Sequence, residues 1–476
     1  MSNEYLTTIG LEIHAELKTK SKMWCGCKND PFVEKPNIHV CEVCMAHPGT
    51  LPVANKEAIK KTIRVGLALG ADIANFTEFD RKNYFYPDIP KGYQLSQYKL
   101  PIVSGGEING IKITRVHLEE DTAKSSHDND GYTLVDYNRA GVPLMELVTE
   151  PVIHTAEDAS NFAKELQRIL RYLDASDANM EMGQMRVEAN ISVSKDKDKF
   201  GTKCEVKNLN SFRSVEEAIK YEVARHIAIL EEGGSIVQET RGWDEVKQET
   251  FSQRKKENAH DYRYFPDPDL PKLYLHEMFE IDLMVHTLPE LPKQKRERYT
   301  NIFKLPIDDI DIITNDPILA SFFENSLVKL GASIDGAKLC ANYLISDVLG
   351  ALKKENKEIN KDNLPNEESF AALLSMIQKN ELSSRGAKDL LPEIIGNKIV
   401  NVKSLAESKG LIQKNDVEAL KKIVEEVSKE NETQWNDFKS GNEKLLMFFV
   451  GKCMAKSKGS GNPQMFQEIL KTAVNQ

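Results

Sequence analysis

The chain is predicted to be an α+β protein, with an antiparallel sheet and helices in its first part and helix after helix beyond. Three observations carry this. Two-residue alternation of apolar and polar side chains is concentrated before residue 290. Apolar stripes at 3.6-residue spacing dominate after it. Leu288-Pro289-Glu290-Leu291-Pro292 puts two prolines where the pattern changes. A second boundary is expected in the polar stretch 398–410, which gives domains at 1–292, 293–405 and 406–476. Two to four domains suit 476 residues at roughly 100–200 each.

Taken in order, the elements separate core from chemistry. Residues 9–17 place Ile9, Leu11, Ile13, Ala15 and Leu17 on one strand face and Gly10, Glu12, His14 and Glu16 on the other. Asn55 is set to cap a helix that carries Ile59, Ile63 and Leu67 on one side, with Gly70 near its end. Arg115-Val116-His117-Leu118-Glu119-Glu120-Asp121 ends a strand-like run on three successive acids, whose repulsion a bound cation would relieve. Lys124-Ser125-Ser126-His127 beside them offers donors to a phosphate. Thr155-Ala156-Glu157-Asp158 is a capping-box variant, and Phe162, Leu166, Ile169, Leu170 and Leu173 form the stripe that follows.

The alternation then returns. Met185, Val187, Ala189, Ile191 and Val193 face in, with Arg186, Glu188, Asn190 and Ser192 between them. Cys204 and Val206 oppose Lys203, Glu205 and Lys207. Leu445, Leu446, Phe448, Phe449 and Val450 read as a buried helix, and Asn462-Pro463 opens the last one. A charged outer face is the ordinary state of a half-exposed sheet. Here, though, carboxylate, imidazole and guanidinium alternate along the strands, a mixture that suits a divalent cation bridged to polyphosphate.

Charge and composition exclude other classes. Forty per cent hydrophobic and 29% charged residues are globular values, so wholesale disorder is out. With 63 Lys+Arg against 73 Asp+Glu the net charge is −10, so any nucleic acid is met through a local patch. From Glu407 on, lysines outnumber acids by eleven to ten, making the tail the least acidic part. No basic and apolar leader and no membrane-length apolar run is visible, and the expectation is a soluble, cytoplasmic protein. No phosphate-binding G-x-x-x-x-G-K-[ST] loop and no dinucleotide G-x-G-x-x-G occurs; Gly233-Gly234-Ser235 reads as a turn.

Cys25-x-Cys27, thirteen residues, then Cys41-x-x-Cys44 is the sharpest local signal, two close pairs able to wrap one Zn²⁺. Four sulfurs leave no open position, so the expected role is structural; unrelated thiols or a redox pair are the other readings. His39 and His47 stand near enough to substitute for one cysteine. Cys204, Cys340 and Cys453 read as ordinary buried residues.

Longer motifs carry a resemblance. Ile9-Gly10-Leu11-Glu12-Ile13-His14-Ala15-Glu16-Leu17, Asp80-Arg81-Lys82-Asn83-Tyr84-Phe85-Tyr86-Pro87-Asp88 and His117-Leu118-Glu119-Glu120-Asp121 resemble the B subunit of the aspartyl/glutamyl-tRNA amidotransferase. So do Val135-Asp136-Tyr137-Asn138-Arg139-Ala140-Gly141, Lys207-Asn208-Leu209-Asn210-Ser211, Asp261-Tyr262-Arg263-Tyr264-Phe265-Pro266 and Lys458-Gly459-Ser460-Gly461-Asn462-Pro463. The resemblance spans nearly the whole chain. It implies an N-terminal cradle domain with a tRNA-dependent kinase site, a helical domain, and a helical tail that touches tRNA through Lys452, Lys456 and Lys458. It implies a carbon–nitrogen ligase of translation. ATP phosphorylates the side chain of Glu on tRNA(Gln) or Asp on tRNA(Asn), and ammonia displaces the phosphate. Glutamine in a separate amidase subunit supplies the ammonia, and a small third subunit completes a heterotrimer.

Mg²⁺ is then expected at Glu12, His14, Glu119 and Glu120, although alternation puts the last two on opposite faces. Arg81, Lys82, Asn83, Tyr84, Lys91 and Gln94, extended by Gln97, are expected at the ATP and acceptor-end site with Ser125, Arg186, Asn190 and Lys207. Zn²⁺ is expected at Cys25, Cys27, Cys41 and Cys44, as in part of the family. The alternative is a non-catalytic, zinc-stabilised tRNA-binding scaffold, against which the concentrated carboxylates speak. An archaeal counterpart carries an inserted domain that this length hardly accommodates.

Overall fold

The computed structural model describes residues 5–129, 131–255, 262–396, 399–413, 417–457 and 461–474. The chain divides into two compact units, Met1–Pro292 and Lys293–Gln476. The first is sheet with helices and the second is helical, so the α+β class holds.

In the first unit the main sheet runs, strand by strand, Glu249–Lys255, Glu239–Asp244, Cys204–Leu209, Met185–Ser194, Leu6–Glu16, Pro143–Thr149, Ile111–Glu120, Val103–Ser104 and Asp72–Ile73, with Glu107–Ile108 paired at its side. Every pairing is antiparallel except that of Cys204–Leu209 with Glu239–Asp244. The Leu6–Glu16 strand lies at the centre, and Ile9, Leu11, Ile13 and Ala15 on its core side are all buried. They join one apolar cluster with Val187, Ala189 and Ile191 of the neighbouring strand.

Three helices cover that core face. α1 (Lys56–Ala68) starts at Asn55, whose Oδ1 accepts from the Glu57 N–H at 2.9 Å, and Gly70 follows it with φ +67°. α2 (Ala156–Tyr172) starts at Thr155, whose Oγ1 accepts from the Asp158 N–H at 3.0 Å. Its stripe, Phe162, Leu166, Ile169 and Leu170, meets Val215, Ala218 and Ile219 of α3 (Phe212–Glu231) in the same cluster. With one face roofed by helices, the other is left for chemistry.

α3 is also tied to the sheet electrostatically. Glu222, fully buried, accepts from Arg225 Nη2 at 2.8 Å, pairs with Arg241 Nε at 3.1 Å and His226 Nε2 at 3.2 Å, and takes the Thr250 hydroxyl. Burial pushes its carboxyl up, but the His226, Arg225 and Thr250 hydrogen bonds outweigh it and bring it down to about 2.

In the second unit, Asp316 caps the Pro317–Lys329 helix with Pro317 in its first turn. The helices from residue 417 on have their own apolar cluster of Leu420, Val424, Val427, Phe438, Phe449, Val450, Cys453, Phe466 and Leu470. Phe449 and Val450 are buried as expected, whereas Phe448 turns outward under Lys452, 5.5 Å from its ring. Cys204, Cys340 and Cys453 are buried. Among the described residues no helix is long and apolar enough to cross a membrane.

The Glu222 network makes a testable demand. With a folded pKa near 2 against 4.5, its stabilisation is complete above pH 4.5 and is lost as the pH falls toward 2; the span corresponds to about 3 kcal/mol. Glu222→Gln should therefore lower stability at neutral pH by about 3–5 kcal/mol. In urea denaturation followed by tryptophan fluorescence, the gap from wild type should narrow below pH 4.5. A constant gap down to pH 3 would refute the assignment.

Candidate active site: a cavity on the charged sheet face

The antiparallel register builds the site. His117 stands opposite Glu146, Glu146 opposite His14, and His14 opposite Arg186, a row across four strands. In the adjacent row Arg115 faces Val148, Val148 faces Glu12, and Glu12 faces Glu188. Because side chains alternate strictly, both rows point away from the apolar core. They line a cavity of about 430 Å³, with Lys82, Tyr84, Tyr98, Tyr262 and Tyr264 along another side.

Two groups of oxygen and nitrogen ligands stand side by side in it. In the first, His14, Glu119 and Glu146 each bring one ligand atom within 4.8 Å of the others. His14 Nε2 is 3.4 Å from Glu146 Oε2, and His117 Nε2 is 3.3 Å from the same oxygen. Glu119 is held from the small sheet beside it by Ser96 Oγ at 2.6 Å, Gln94 Nε2 at 3.1 Å and Lys82 Nζ at 3.7 Å. In the second, Glu12, Glu188 and Glu205 converge equally closely. Asn190 donates to Glu12 at 2.8 Å, Lys207 sits 2.7 Å from Glu188 and 3.3 Å from Glu205, and Thr240 donates to Glu205 at 2.8 Å.

The titration behaviour differs between the groups. Burial pushes Glu119 up, but Lys82 and His117 outweigh it and bring it down to about 2. Burial pushes His117 down, yet Glu146 and Glu119 raise it to about 9, and His14 is raised by the same acids. Glu12 is instead raised, by burial first and then by Glu146, Glu188 and Glu205. The second group thus carries more carboxylate than its own cations neutralise, and Asn190 Oδ1, buried beside it, accepts no hydrogen bond. That donor set fits a hard divalent cation.

The three successive acids do not share one partner. Glu119 faces the cavity; Glu120 turns to the opposite side, accepting from Lys91 at 2.7 Å and from the Leu95 N–H at 3.0 Å. Asp121 returns to the cavity side and takes Arg186 at 2.7 Å, with Arg139 at 3.7 Å. Burial pushes Asp121 up, and the two guanidiniums hold it below its ordinary range. Glu16, above all through burial and then through Asp121, rises to about 8. The three acids thus meet separate protein cations, Lys82, Lys91 and Arg186.

Other expected residues scatter similarly. Lys82, Tyr84, Gln94, Gln97, Arg186 and Lys207 line the cavity with Glu12, His14 and Glu119. Arg81 does not: it is paired to Asp267 at 2.6 Å and Asp269 at 3.0 Å and lies over the Tyr93 ring. Asn83 donates to the Tyr262 and Arg263 carbonyls, fixing the segment that carries the tyrosines. Ser125 is exposed on the Lys124–Asn129 and Tyr132–Asp136 ribbon. In the tail Lys456 is paired with Glu426 at 2.9 Å and Glu430 at 2.5 Å. Lys458, Asp261 and the His127 side chain lie outside the described residues.

The sulfurs of Cys25, Cys27, Cys41 and Cys44 also converge within 4.8 Å, without His39 or His47 in the group, and could hold a metal. Cys44 Sγ accepts from the Cys41 N–H at 3.0 Å, and a hydrogen bond from Cys25 lowers its thiol to about 5.

Sequence reasoning passed over Glu146, gave His117 no role of its own, and placed Glu188 and Glu205 on a charged face suited to a cation without naming them as ligands. Glu146 had a signal: it is the one charge in the apolar strand Pro143–Thr149. Such a charge is retained at the cost of desolvation and needs partners.

Comparison with known proteins agrees over the whole length. A family model described as the GatB/GatE catalytic domain matches residues 7–280, and one described as the GatB domain matches residues 321–474. The B subunit of the aspartyl/glutamyl-tRNA(Asn/Gln) amidotransferase from Brevibacillus brevis is 44% identical over 483 residues, covering 99% of each chain. The protein of the same name from Coxiella burnetii (strain RSA 493) is 44% identical over 479 residues, with 98% of this chain and 99% of its own covered. That of Thermodesulfovibrio yellowstonii is 43% identical over 476 residues, with 98% of each covered.

Proposed function

This chain belongs to the family of aspartyl/glutamyl-tRNA(Asn/Gln) amidotransferase B subunits, and from that premise we propose that its cavity phosphorylates and then amidates an aminoacyl-tRNA side chain. The substrate is Glu on tRNA(Gln), Asp on tRNA(Asn), or both. A carboxylate resists attack by ammonia because oxide would have to leave. Attack of a carboxylate oxygen on the γ-phosphorus of ATP expels ADP and makes an acyl phosphate. Ammonia then adds to the carbonyl carbon, and inorganic phosphate leaves with the C–O bonding pair. The ammonia would come from glutamine in an amidase subunit, with a small third subunit completing the assembly.

What supports this reading is the pairing of two carboxylate-rich groups with Lys82, Arg186 and Lys207 around one cavity. His14, Glu119 and Glu146 would hold one Mg²⁺, and Glu12, Glu188 and Glu205 a second. Bound there, Mg²⁺ supplies positive charge to the phosphoryl oxygens. The chain's own work is alignment and neutralisation: Lys82 and Lys207 flank the two groups, and Asp121, which also pairs with Arg139, holds Arg186 at the rim. We further divide the helical unit into 293–405 and a tRNA-contacting 406–476, in which Lys452 is freer to meet phosphate than the paired Lys456.

The primary test is phosphate release from ATP by the complex with its amidase partner. Release should require Glu-tRNA(Gln) or Asp-tRNA(Asn), and the one that triggers it names the substrate. Release without tRNA, or none, would favour a tRNA-docking scaffold.

Within that assay, His14→Ala and Glu12→Gln should each lower turnover at least about 10²-fold while equilibrium tRNA binding stays near wild type. Parallel loss of tRNA binding would make both residues structural. Glu120→Gln should behave differently, costing about 1–3 kcal/mol in denaturant unfolding while retaining turnover.

The four cysteines would hold a structural Zn²⁺, all positions being filled by sulfur. Metal analysis of the purified chain should find about one zinc per chain, absent from Cys27→Ser with Cys41→Ser, and chelation should lower the melting temperature. Zinc-free protein with four freely titrating thiols would sink the assignment.

A further inference from the structure

One wall of the cavity is aromatic. Tyr98 and Tyr264 stack with centroids 4.6 Å apart and planes at 13°. Tyr262 stands edge-on to Tyr264 at 6.1 Å and to Tyr84 at 6.0 Å, and Lys82 Nζ lies 5.3 Å over the Tyr262 ring. All four rings line the same cavity as the two carboxylate groups. Tyr98 is not held there by packing: it leaves 54% of its surface open although one face is covered by Tyr264.

The wall is held in place by the strand that carries Lys82. Asn83, next to it, donates its backbone N–H to the Tyr262 carbonyl at 2.9 Å and its side-chain amide to the Tyr262 and Arg263 carbonyls at 3.1 and 3.0 Å. Asp80, on the same strand, accepts the Tyr98 N–H at 3.0 Å. The rings are thus fixed relative to Lys82, and Lys82 relative to Glu119. A flat ligand that stacks on Tyr98 is thereby set in register with the charge groups, and the ordering is present before it arrives.

We propose that the Tyr98–Tyr264 stack is the platform for an adenine ring of the substrate, with Tyr262 and Tyr84 bracing it from the side. This rests on the phosphoryl-transfer reading above. Stacking on tyrosine recognises the π-face that every base presents, whatever its edge bonds to, and so suits a ring delivered by the rest of its molecule. Two substrates of the proposed reaction end in such a ring: ATP, and the 3′-terminal adenosine that bears the amino acid. In either, the phosphates or the reacting carboxylate would extend from the platform toward Lys82 and the carboxylate groups.

The test compares Tyr98→Leu and Tyr264→Leu with the corresponding phenylalanine variants, in the complex with the amidase partner. Leucine keeps bulk and removes the π-face; Tyr98 is half exposed, so the core is untouched. The KM for one substrate should rise about tenfold with kcat at saturation changed far less, and phenylalanine should restore it. A rise for ATP assigns the nucleotide's adenine; a rise for mischarged tRNA assigns the terminal adenosine. Unchanged KM values, phenylalanine as damaging as leucine, or a loss that instead tracks weaker association with the amidase subunit would overturn the proposal. Equilibrium dialysis of ATP and of deacylated tRNA against the full chain keeps the platform testable apart from the reaction. If wild type shows no tRNA-dependent turnover, weaker binding by the leucine variants still supports the platform, and equal binding still refutes it.

Discussion

The hydrogen-bond ladder that holds the Leu6–Glu16 strand between Pro143–Thr149 and Met185–Ser194 decides where Glu12, His14, Glu146, Arg186 and Glu188 stand in the cavity. In register, Ile9, Leu11, Ile13 and Ala15 meet the apolar cluster and Glu12 and His14 meet Glu188, Glu146 and Arg186. A slip of one residue would exchange the faces and drive a carboxylate and an imidazole into hydrocarbon. The core therefore enforces the register, and the register assembles the site. That division explains how a cavity so crowded with buried acids survives: the destabilisation of one face is offset by the burial on the other.

Much of this was legible in the bare sequence. The alternation in residues 9–17 and 185–193 marks both the strand and its charged face, because a period of two leaves no third direction for a side chain. The caps at Asn55 and Thr155 were equally plain, since a short polar side chain before an apolar stripe has a backbone N–H to satisfy. What the sequence withheld is partnership across strands. Nothing local says that Glu146 lies between His14 and His117, 132 and 29 positions away along the numbering. Nor does it say that Glu12 and His14, two residues apart, belong to different ligand groups. Strand order and register are long-range facts, and they redistribute side chains that stand together in the chain. Arg81 shows the same limit: beside Lys82 it reads as a phosphate contact, yet Asp267 and Asp269 claim it from nearly two hundred residues away.

The three acids at 119–121 show how a strand end resolves a local conflict. Taken as a string they repel one another and invite a single counter-ion. Folded, they diverge. Glu119 serves the cavity, Asp121 binds the guanidiniums at its rim, and Glu120 passes through the sheet to Lys91. Glu120 and Lys91 also line a space shared with Cys25, Cys44 and Trp24, so the cysteine-bearing segment abuts the reverse side of the strand that presents Glu119. A structural metal at the four cysteines, as proposed, would brace that strand from behind without taking part in the chemistry on its other face.

The electrostatics of the two ligand groups also argue for different duties. Glu119 and Glu146 are kept ionised by Lys82, His117 and His14, so the first group is balanced within the protein. The second is underbalanced, with Glu12 raised and one buried amide oxygen unpaired. A balanced group binds a cation by exchanging it for a proton, whereas an underbalanced one gains most when positive charge arrives from outside. On the proposed function, a cation arriving with a polyphosphate would bring such charge to the second group, and Lys82, Arg186 and Lys207 would face the phosphates. If the proposed function holds, the first group would be the standing part of the site and the second would be completed together with its substrate.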